Sequence, residues 1–339
     1  MIGYYIHHHG AGHLVRARTI CAEIASPVTV LTSLPVDDPV FARTVALPAD
    51  DAAAEVVDPT AAERLHWVPK ADAGLRDRMA AISEWIAAER PRALVVDVSV
   101  EVALLARLHG VPVVTMVLPG TRTDAPHNLV HDIADALIAA WPRAVYDPTW
   151  LHPYADKTHY IGGVSRFAAH PPIAPRDAAV RPAVLVLAGA GGSGFTAETI
   201  RECADRHPQY HWRTAGLGDW TDDLWPLLSS ADVVVAHAGQ GAVADIAAAG
   251  KPAVFIPAQR PFGEQRATAS ALADTGLALA VDEWPGLHEW PGLIDAALRL
   301  DTSRWRQWRT HGAAGRAAAV IDRVARAVSP AGRTRTSAA

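Results

Sequence analysis

Two glycine-rich turns that carry histidine are where this chain could do chemistry. The first, His7-His8-His9-Gly10-Ala11-Gly12-His13, follows an apolar run from Ile2 to Ile6. Gly10 and Gly12 let a ligand approach the backbone, and the imidazole of His13 is a side chain of the kind that can remove a hydroxyl proton. The second turn lies in ADVVVAHAGQGAVADIAAAGKPAVFIPAQRPFGEQ, residues 231–265. There the apolar run Ala231 to Ala236 leads into His237-Ala238-Gly239-Gln240-Gly241, then into an Ala-rich helix that stops at Gly250. Lys251-Pro252 opens a second strand, Ala253 to Pro257, whose far end carries Gln259, Arg260, Glu264 and Gln265. Glycines at such a strand-to-helix turn bring backbone N–H groups, here those at Gly239 to Ala242, onto an anion such as a diphosphate.

A third turn, Gly189-Ala190-Gly191-Gly192-Ser193-Gly194, also follows a strand and opens a helix. It meets the G-x-G-x-x-G context of a dinucleotide site, but no acid ends the next strand, His211 to Gly216, to hold a ribose. Phe195 stands where a Walker loop needs Lys, which argues against an ATPase of that type. A tight turn with no ligand is the alternative.

These turns require a frame of alternating strands and helices. Strands are expected at Ile2–Ile6, Val28–Leu31, Ala93–Val96 and Val111–Val117, and helices at Leu14–Ala25, Leu75–Glu89, Val102–Leu108 and Leu129–Ala140. The Asp-, Ala- and Pro-rich stretch from Pro35 to Pro69 lacks periodicity and reads as a surface excursion. Alternating βα units imply a parallel sheet covered on both faces, with loop chemistry at the carboxyl ends of the strands. Prolines 171, 172, 175 and 182 mark a linker, and the rhythm restarts at Ala183 to Leu187. The expected division is a first domain over 1–165, a linker over 166–182 and a second domain over 183–302. A long helix over 303–328 and a tail over 329–339 follow.

The order of residues at 237–265 resembles the donor-sugar signature of the GT-B glycosyltransferases. That group holds the plant and antibiotic UDP-sugar transferases and the lipid II GlcNAc transferase. The matching residues are His237, Gly239, Asp245, Gly250-Lys251-Pro252 and Glu264-Gln265. The resemblance implies an α/β protein of GT-B type, with two Rossmann-like, doubly wound parallel-sheet domains facing across a cleft. In that group the last helix crosses back onto the first domain. It further implies that His237 donates to a donor diphosphate together with the Gly189–Gly194 turn and the Gly239–Ala242 helix start. Asp245 stands where the family has Glu and would accept from ribose hydroxyls; Ala242 replaces a hydroxyl residue. Glu264 and Gln265 would hold the sugar, and Trp220 lies where relatives bind the base, though it could equally pack with Trp225, Trp284 and Trp290. In the first domain, Gly10, Ala11 and Gly12 resemble the acceptor-side loop and His13 matches the catalytic histidine. Asp97 matches the aspartate that orients it. A helix-capping role for Asp97, with Ser99 as rival cap, stays open.

His7, His8, His9 and His13 invite a metal reading. Neighbours in a strand point to opposite faces and no Asp, Glu or Cys is close in sequence, so no metal site is expected. No resident cofactor is expected either. Two cysteines, Cys21 and Cys203, suggest neither a disulfide framework nor zinc, and a reducing cytoplasm fits. The start lacks the basic region and long apolar core of a signal peptide, so a mature N-terminus is expected. No apolar run reaches the roughly 20 residues of a membrane span. A net charge of −5 gives no case for nucleic acid. From Asp301 onward there are eight Arg against two Asp, hence +6, which reads as a solvated helix face, with peripheral membrane association as the alternative. The expected activity is sugar transfer from a nucleotide sugar, UDP-linked, to an acceptor hydroxyl with inversion. A nucleotide-sugar 2-epimerase and a non-catalytic nucleotide-sugar-binding protein are the rivals.

Overall fold

The computed structural model describes residues 1–8, 11–52, 55–171, 173, 181–188, 195–217 and 223–327. The first half runs β1 (Ile2–Ile6), α1 (Ala11–Cys21), β2 (Val28–Thr32), β3 (Arg43–Ala46), α2 (Ala73–Glu89) and β4 (Leu94–Asp97). It continues with α3 (Val100–Leu108), β5 (Val113–Val117), α4 (Ala125–Ile133), β6 (Ala136–Ala139) and β7 (Thr158–Tyr160). These seven strands form one sheet in the order β3-β2-β1-β4-β5-β6-β7, every neighbouring pair parallel. The chain winds outward from β1 in one direction and returns to β4 on its other side. That reversal opens a crevice beyond the carboxyl ends of β1 and β4, where such sheets take ligands.

The second half repeats the plan on a smaller scale. Its elements are β8 (Ala183–Leu187), α5 (Ala197–Arg206), β9 (His211–Ala215), α6 (Trp225–Ser230), β10 (Val233–Ala236) and α7 (Gln240–Ala249). Then come β11 (Ala253–Phe255), α8 (Glu264–Asp274), β12 (Leu279–Ala280), α9 (Trp290–Leu298) and α10 (Ala313–Ala327). The strand order β12-β11-β10-β8-β9 puts the reversal between β8 and β10, and His237 follows one of the two strands flanking it. The expected architecture of two parallel α/β domains is the one found.

The inner strands of each sheet are buried on both faces, which is why they read as continuous apolar runs. In β1, Ile2, Tyr4 and Ile6 pack with Ala17 and Ile20 of α1, while Tyr5 faces Ile82 and Trp85 of α2. In the second sheet, Val184, Val186, Val233 and Val235 meet Ile200, Trp290 and Ile294. Cys21 and Cys203 are free and buried.

Four expectations need correction. Residues 129–140 are not one helix: α4 ends at Ile133 and Ala136–Ala139 is strand β6, paired to β5. The Ala-Leu-Ile-Ala run suits a helix by propensity, but full burial between strands overrides it. The 35–69 excursion contains β3, paired to β2. Helix α1 begins at Ala11, so His13 lies in a first helical turn and not in a loop. The long last helix is broken: Thr302–Trp308 is a 3₁₀ turn, Arg309 and Gly312 have φ of 55° and 70°, and only then does α10 start.

That break lets the chain change sides. Trp305 Nε1 donates to the Lys251 carbonyl at the end of α7, whereas Arg316 Nε of α10 donates to the Ile161 carbonyl beside β7. Ala317 and Ile321 then bury against the β1 and α1 side chains. The crossing is tight. A Cβ at Gly163 would lie 2.2 Å from Trp308 Nε1, and one at Gly162 would lie 2.4 Å from the Arg309 carbonyl oxygen. Most of the proline-rich stretch lies outside the described residues. Among the described residues, no helix is long and apolar enough to cross a membrane.

Candidate active site

The first turn of α1 and the end of β4 bring His13 and Asp97 together. His13 Nδ1 lies 3.2 Å from Asp97 Oδ2. Asp97 is fully buried, yet its carboxyl is held down at about 2. Burial opposes ionisation there, but the Arg16 charge and then His13 outweigh it. Arg16 Nη2 also lies 3.2 Å from His13 Nδ1, but its hydrogen bond goes to Asp97 Oδ1, so Nδ1 carries the proton for the acceptor-only carboxylate and Nε2 is left as the basic nitrogen. The turn after β4 is strained to allow it. Val98 takes φ 67°, a left-handed conformation costly for a β-branched residue, between Asp97 and Ser99. Ser99, not Asp97, caps α3, accepting from the Val102 N–H at 3.1 Å. The capping alternative for Asp97 is thereby removed.

Arg16 is the residue that sequence reasoning missed. It is 8% exposed and donates from Nη2 to Asp97 Oδ1 and from Nη1 to Gln240 Oε1 at 2.6 Å. One guanidinium therefore ties the His13–Asp97 pair to the first residue of α7 in the other domain. Its spacing of three from His13 puts both on one helix face, and that was the available signal. Because Arg16 can only donate, Gln240 must present its oxygen to it. The Gln240 amide nitrogen is buried without a hydrogen-bond partner among the described residues.

The start of α7 is open. Gly239 is its N-cap without a side-chain cap, Gly241 is exposed, and a Cβ there would meet nothing within 4 Å. Its first N–H groups are thus placed to receive an anion. His237 is arranged differently from expectation. Its Nδ1 bonds the Ile256 carbonyl at 2.7 Å and so carries the proton; burial, and Arg260 after it, lower its basicity. A neutral His237 then offers Nε2 as an acceptor, not as the donor a diphosphate needs. Phe195 stacks on its ring at 4.0 Å.

Asp245 is also placed differently. Its two oxygens accept from Ser165 Oγ at 2.8 Å and Arg166 Nε at 3.2 Å, and it is 6% exposed. Burial raises its pKa, partly offset by those two residues. The carboxylate is spent on holding the segment after β7 instead of lying open to a ribose. Glu264 pairs with Arg122 Nη2 at 3.4 Å, and Gln265 Oε1 accepts from the Ala258 N–H at 2.9 Å. Gly10, the Gly189, Gly191, Gly192, Ser193, Gly194 turn and Trp220 lie outside the described residues. Ala11 and Gly12 open α1, and a Cβ at Gly12 would meet nothing within 4 Å.

The view that no acid lies near the histidines holds in sequence but not in space. Asp51 is 3.1 Å and Asp50 3.9 Å from His8 Nε2. Asp50 is in turn paired with buried Arg78 at 3.1 Å. A second gathering, His66, Asp124 and His127, comes from the 35–69 excursion and the start of α4.

Residues 184–286 match the model of the glycosyltransferase family 28 C-terminal domain. The UDP-N-acetylglucosamine--N-acetylmuramyl-(pentapeptide) pyrophosphoryl-undecaprenol N-acetylglucosamine transferase of Paenarthrobacter aurescens is 39% identical over 86 residues. That is 25% of this chain and 23% of that protein. The protein of the same name from Sorangium cellulosum is 30% identical over 209 residues, 53% of this chain and 49% of its own. The chain thus spans less than half the length of these curated relatives. Among solved structures, the glycotransferase of kitacinnamycin is similar with a TM-score of 0.69 and 17% identity, over 95% of this chain and 98% of that one. With two parallel α/β domains and this likeness to a solved glycotransferase, the chain has the GT-B fold, and its residues 184–286 are similar to the family 28 C-terminal domain.

Proposed function

We propose that this protein transfers a sugar from a nucleotide-diphosphate donor to an acceptor hydroxyl with inversion at the anomeric carbon. The observation that supports this most directly is the junction of His13, Asp97, Arg16 and Gln240. A base oriented by a carboxylate is held against an open helix N-terminus of the other domain. In this reading His13 Nε2 takes the acceptor proton as the acceptor oxygen attacks the anomeric carbon. The bond from that carbon to the diphosphate breaks on the opposite side, and the departing charge meets the N–H groups of Gly241 and Ala242. Asp97 fixes the tautomer and stabilises the imidazolium. His237 positions the turn through Ile256, and Gln265 with Glu264 lies on the sugar side.

The donor is assigned as UDP-linked, with UDP-N-acetylglucosamine the first candidate because the curated relatives are named for it. The domain division given by the sequence, with the first domain as acceptor side, belongs to the same proposal. Acceptor-dependent UDP release across a panel of UDP-sugars tests it, with product configuration read by NMR. Transfer that persists undiminished in His13→Ala, or a product with retained configuration, overturns the mechanism.

A further inference from the structure

A second His–Asp assembly stands on the cleft wall, built like a site and unused by the mechanism above. Asp124 is the N-cap of α4, yet its carboxylate makes no capping bond. Asp72 and Ser99 do cap their helices, accepting from the Leu75 and Val102 N–H groups. Asp124 instead accepts from His66 Nε2 at 2.7 Å and from His127 Nδ1.

The tautomers follow from the partners. Arg122 Nη1 lies 3.1 Å from His127 Nε2 and can only donate, so His127 is neutral and gives its Nδ1 proton to Asp124. This arrangement spends both nitrogens of His127 and leaves no lone pair for a metal ion. His66 gives its Nε2 proton to the other oxygen, which leaves Nδ1 as an acceptor on a side chain 32% exposed.

His66 is also pinned. Its backbone N–H and that of Trp67 are both bound by Glu101 Oε1, at 2.7 and 3.1 Å. Its ring lies 4.5 Å from that of His127 and 5.7 Å from that of Phe262, a second-domain residue. Phe262 is 38% exposed and held at φ 61°, with Arg122 over its ring at 4.6 Å. A strained, exposed aromatic beside an oriented acceptor nitrogen is the makeup of a ligand wall. The charges here are Asp124, Glu264 and Glu101 against Arg122, which disfavours an anion.

We propose that this corner is an acceptor subsite for an uncharged, planar, hydroxyl-bearing ring. His66 Nδ1 takes the hydrogen bond of a hydroxyl, and the His66 and Phe262 rings take the flat face. The inference rests on the reading of the first domain as the acceptor side and deepens it by naming the acceptor's class.

Calorimetry with 7-hydroxy-4-methylcoumarin, in the presence of UDP, tests it. The expected result is saturable binding, weakened about 3- to 10-fold by methylating the hydroxyl and by His66→Gln, the span of one hydrogen bond. Phe262→Ala and Asp124→Asn should weaken it too, and 7-hydroxycoumarin-3-carboxylate should bind less tightly. His13→Ala should still bind the probe. No binding to the wild type, equal affinity for the methyl ether, or a Kd in His66→Gln within twofold of wild type each overturns the proposal. UDP affinity, measured alone, tests the donor reading separately. Probe binding that survives when UDP fails to bind sinks the transferase reading, and with it the acceptor role, and leaves a ring-binding site alone.

Discussion

The two His–Asp corners of the first domain solve the same problem with different materials. At one, Asp97 ends a central strand, is fully buried, and receives the Arg16 guanidinium. At the other, Asp124 sits at a helix start, 34% exposed, and receives two imidazoles. Each corner has an arginine reaching the second domain: Arg16 to Gln240, and Arg122 to Glu264. The difference lies in burial. A locked carboxylate suits a group whose proton must be placed once and correctly, whereas a half-open one suits a surface that must admit a ligand.

Mutation should split the corners by kinetic parameter. His13→Ala is expected to lower kcat by about 10²- to 10⁴-fold with donor affinity unchanged, the span of a general base. His66→Ala should act chiefly on the acceptor KM. Equal losses of kcat in both variants would erase the distinction.

Stability should split them next. Arg16→Met leaves buried Asp97 with His13 as its remaining partner and no full positive charge beside it, which should cost about 3–5 kcal/mol in urea unfolding. Arg122→Met removes a pair whose Glu264 is partly exposed and should cost about 1 kcal/mol. A reversed order would mean that Arg122 carries the domain contact.

Acidification separates them by pH. Burial first, then Arg122 and His66, hold His127 at about 4 against the partly opposing pull of Asp124, and burial holds His131 at about 3. The unfolded chain binds more protons between those values and about 6.5, so stability should fall as pH drops through that window. Asp97, depressed to about 2, contributes stability present above about 4 and lost as pH falls from there to 2. His131→Phe should flatten the upper stage and leave the lower one. A flat profile between pH 6.5 and 4 in the wild type would contradict the neutral imidazoles assigned here.

The smallest effect expected is that of chelation. Excess EDTA should leave turnover unchanged, since hydrogen bonds account for the His127 nitrogens and Arg78 holds Asp50. Complete loss, restored by Mg²⁺ or Mn²⁺, would make one of the two acid-histidine clusters a metal site.

What could be read in the sequence was local. The βαβ unit at 231–265 declares itself because apolar run, glycine turn and helix lie within one window. Asp97 was legible as a strand-end acid, but Arg16 was not weighed, though its spacing from His13 was in plain view. Interactions that close over long separations were out of reach. His66 and Asp124 are 58 residues apart, Arg122 and Glu264 142. No periodicity marks them, because loops set them side by side. The same limit misplaced Asp245, whose partners Ser165 and Arg166 come from the other end of the linker region. It misread β6 as well, since only pairing with β5 distinguishes that run from a helix.

The crossing of α10 has a consequence for synthesis. Ala313, Ala317, Val320, Ile321 and Ala325 complete the apolar cluster that Ile2, Tyr4, Ala17 and Ile20 begin. Nearly the whole described chain must leave the ribosome before that face of the first sheet is covered. Domains usually fold in the order they are made. Here the one made first has to wait for the last helix, with β1 and α1 exposing apolar surface in the interval. Nascent chains stalled before residue 313 should therefore be the aggregation-prone species, and a chaperone that shields α1 should matter more to yield than one acting after release.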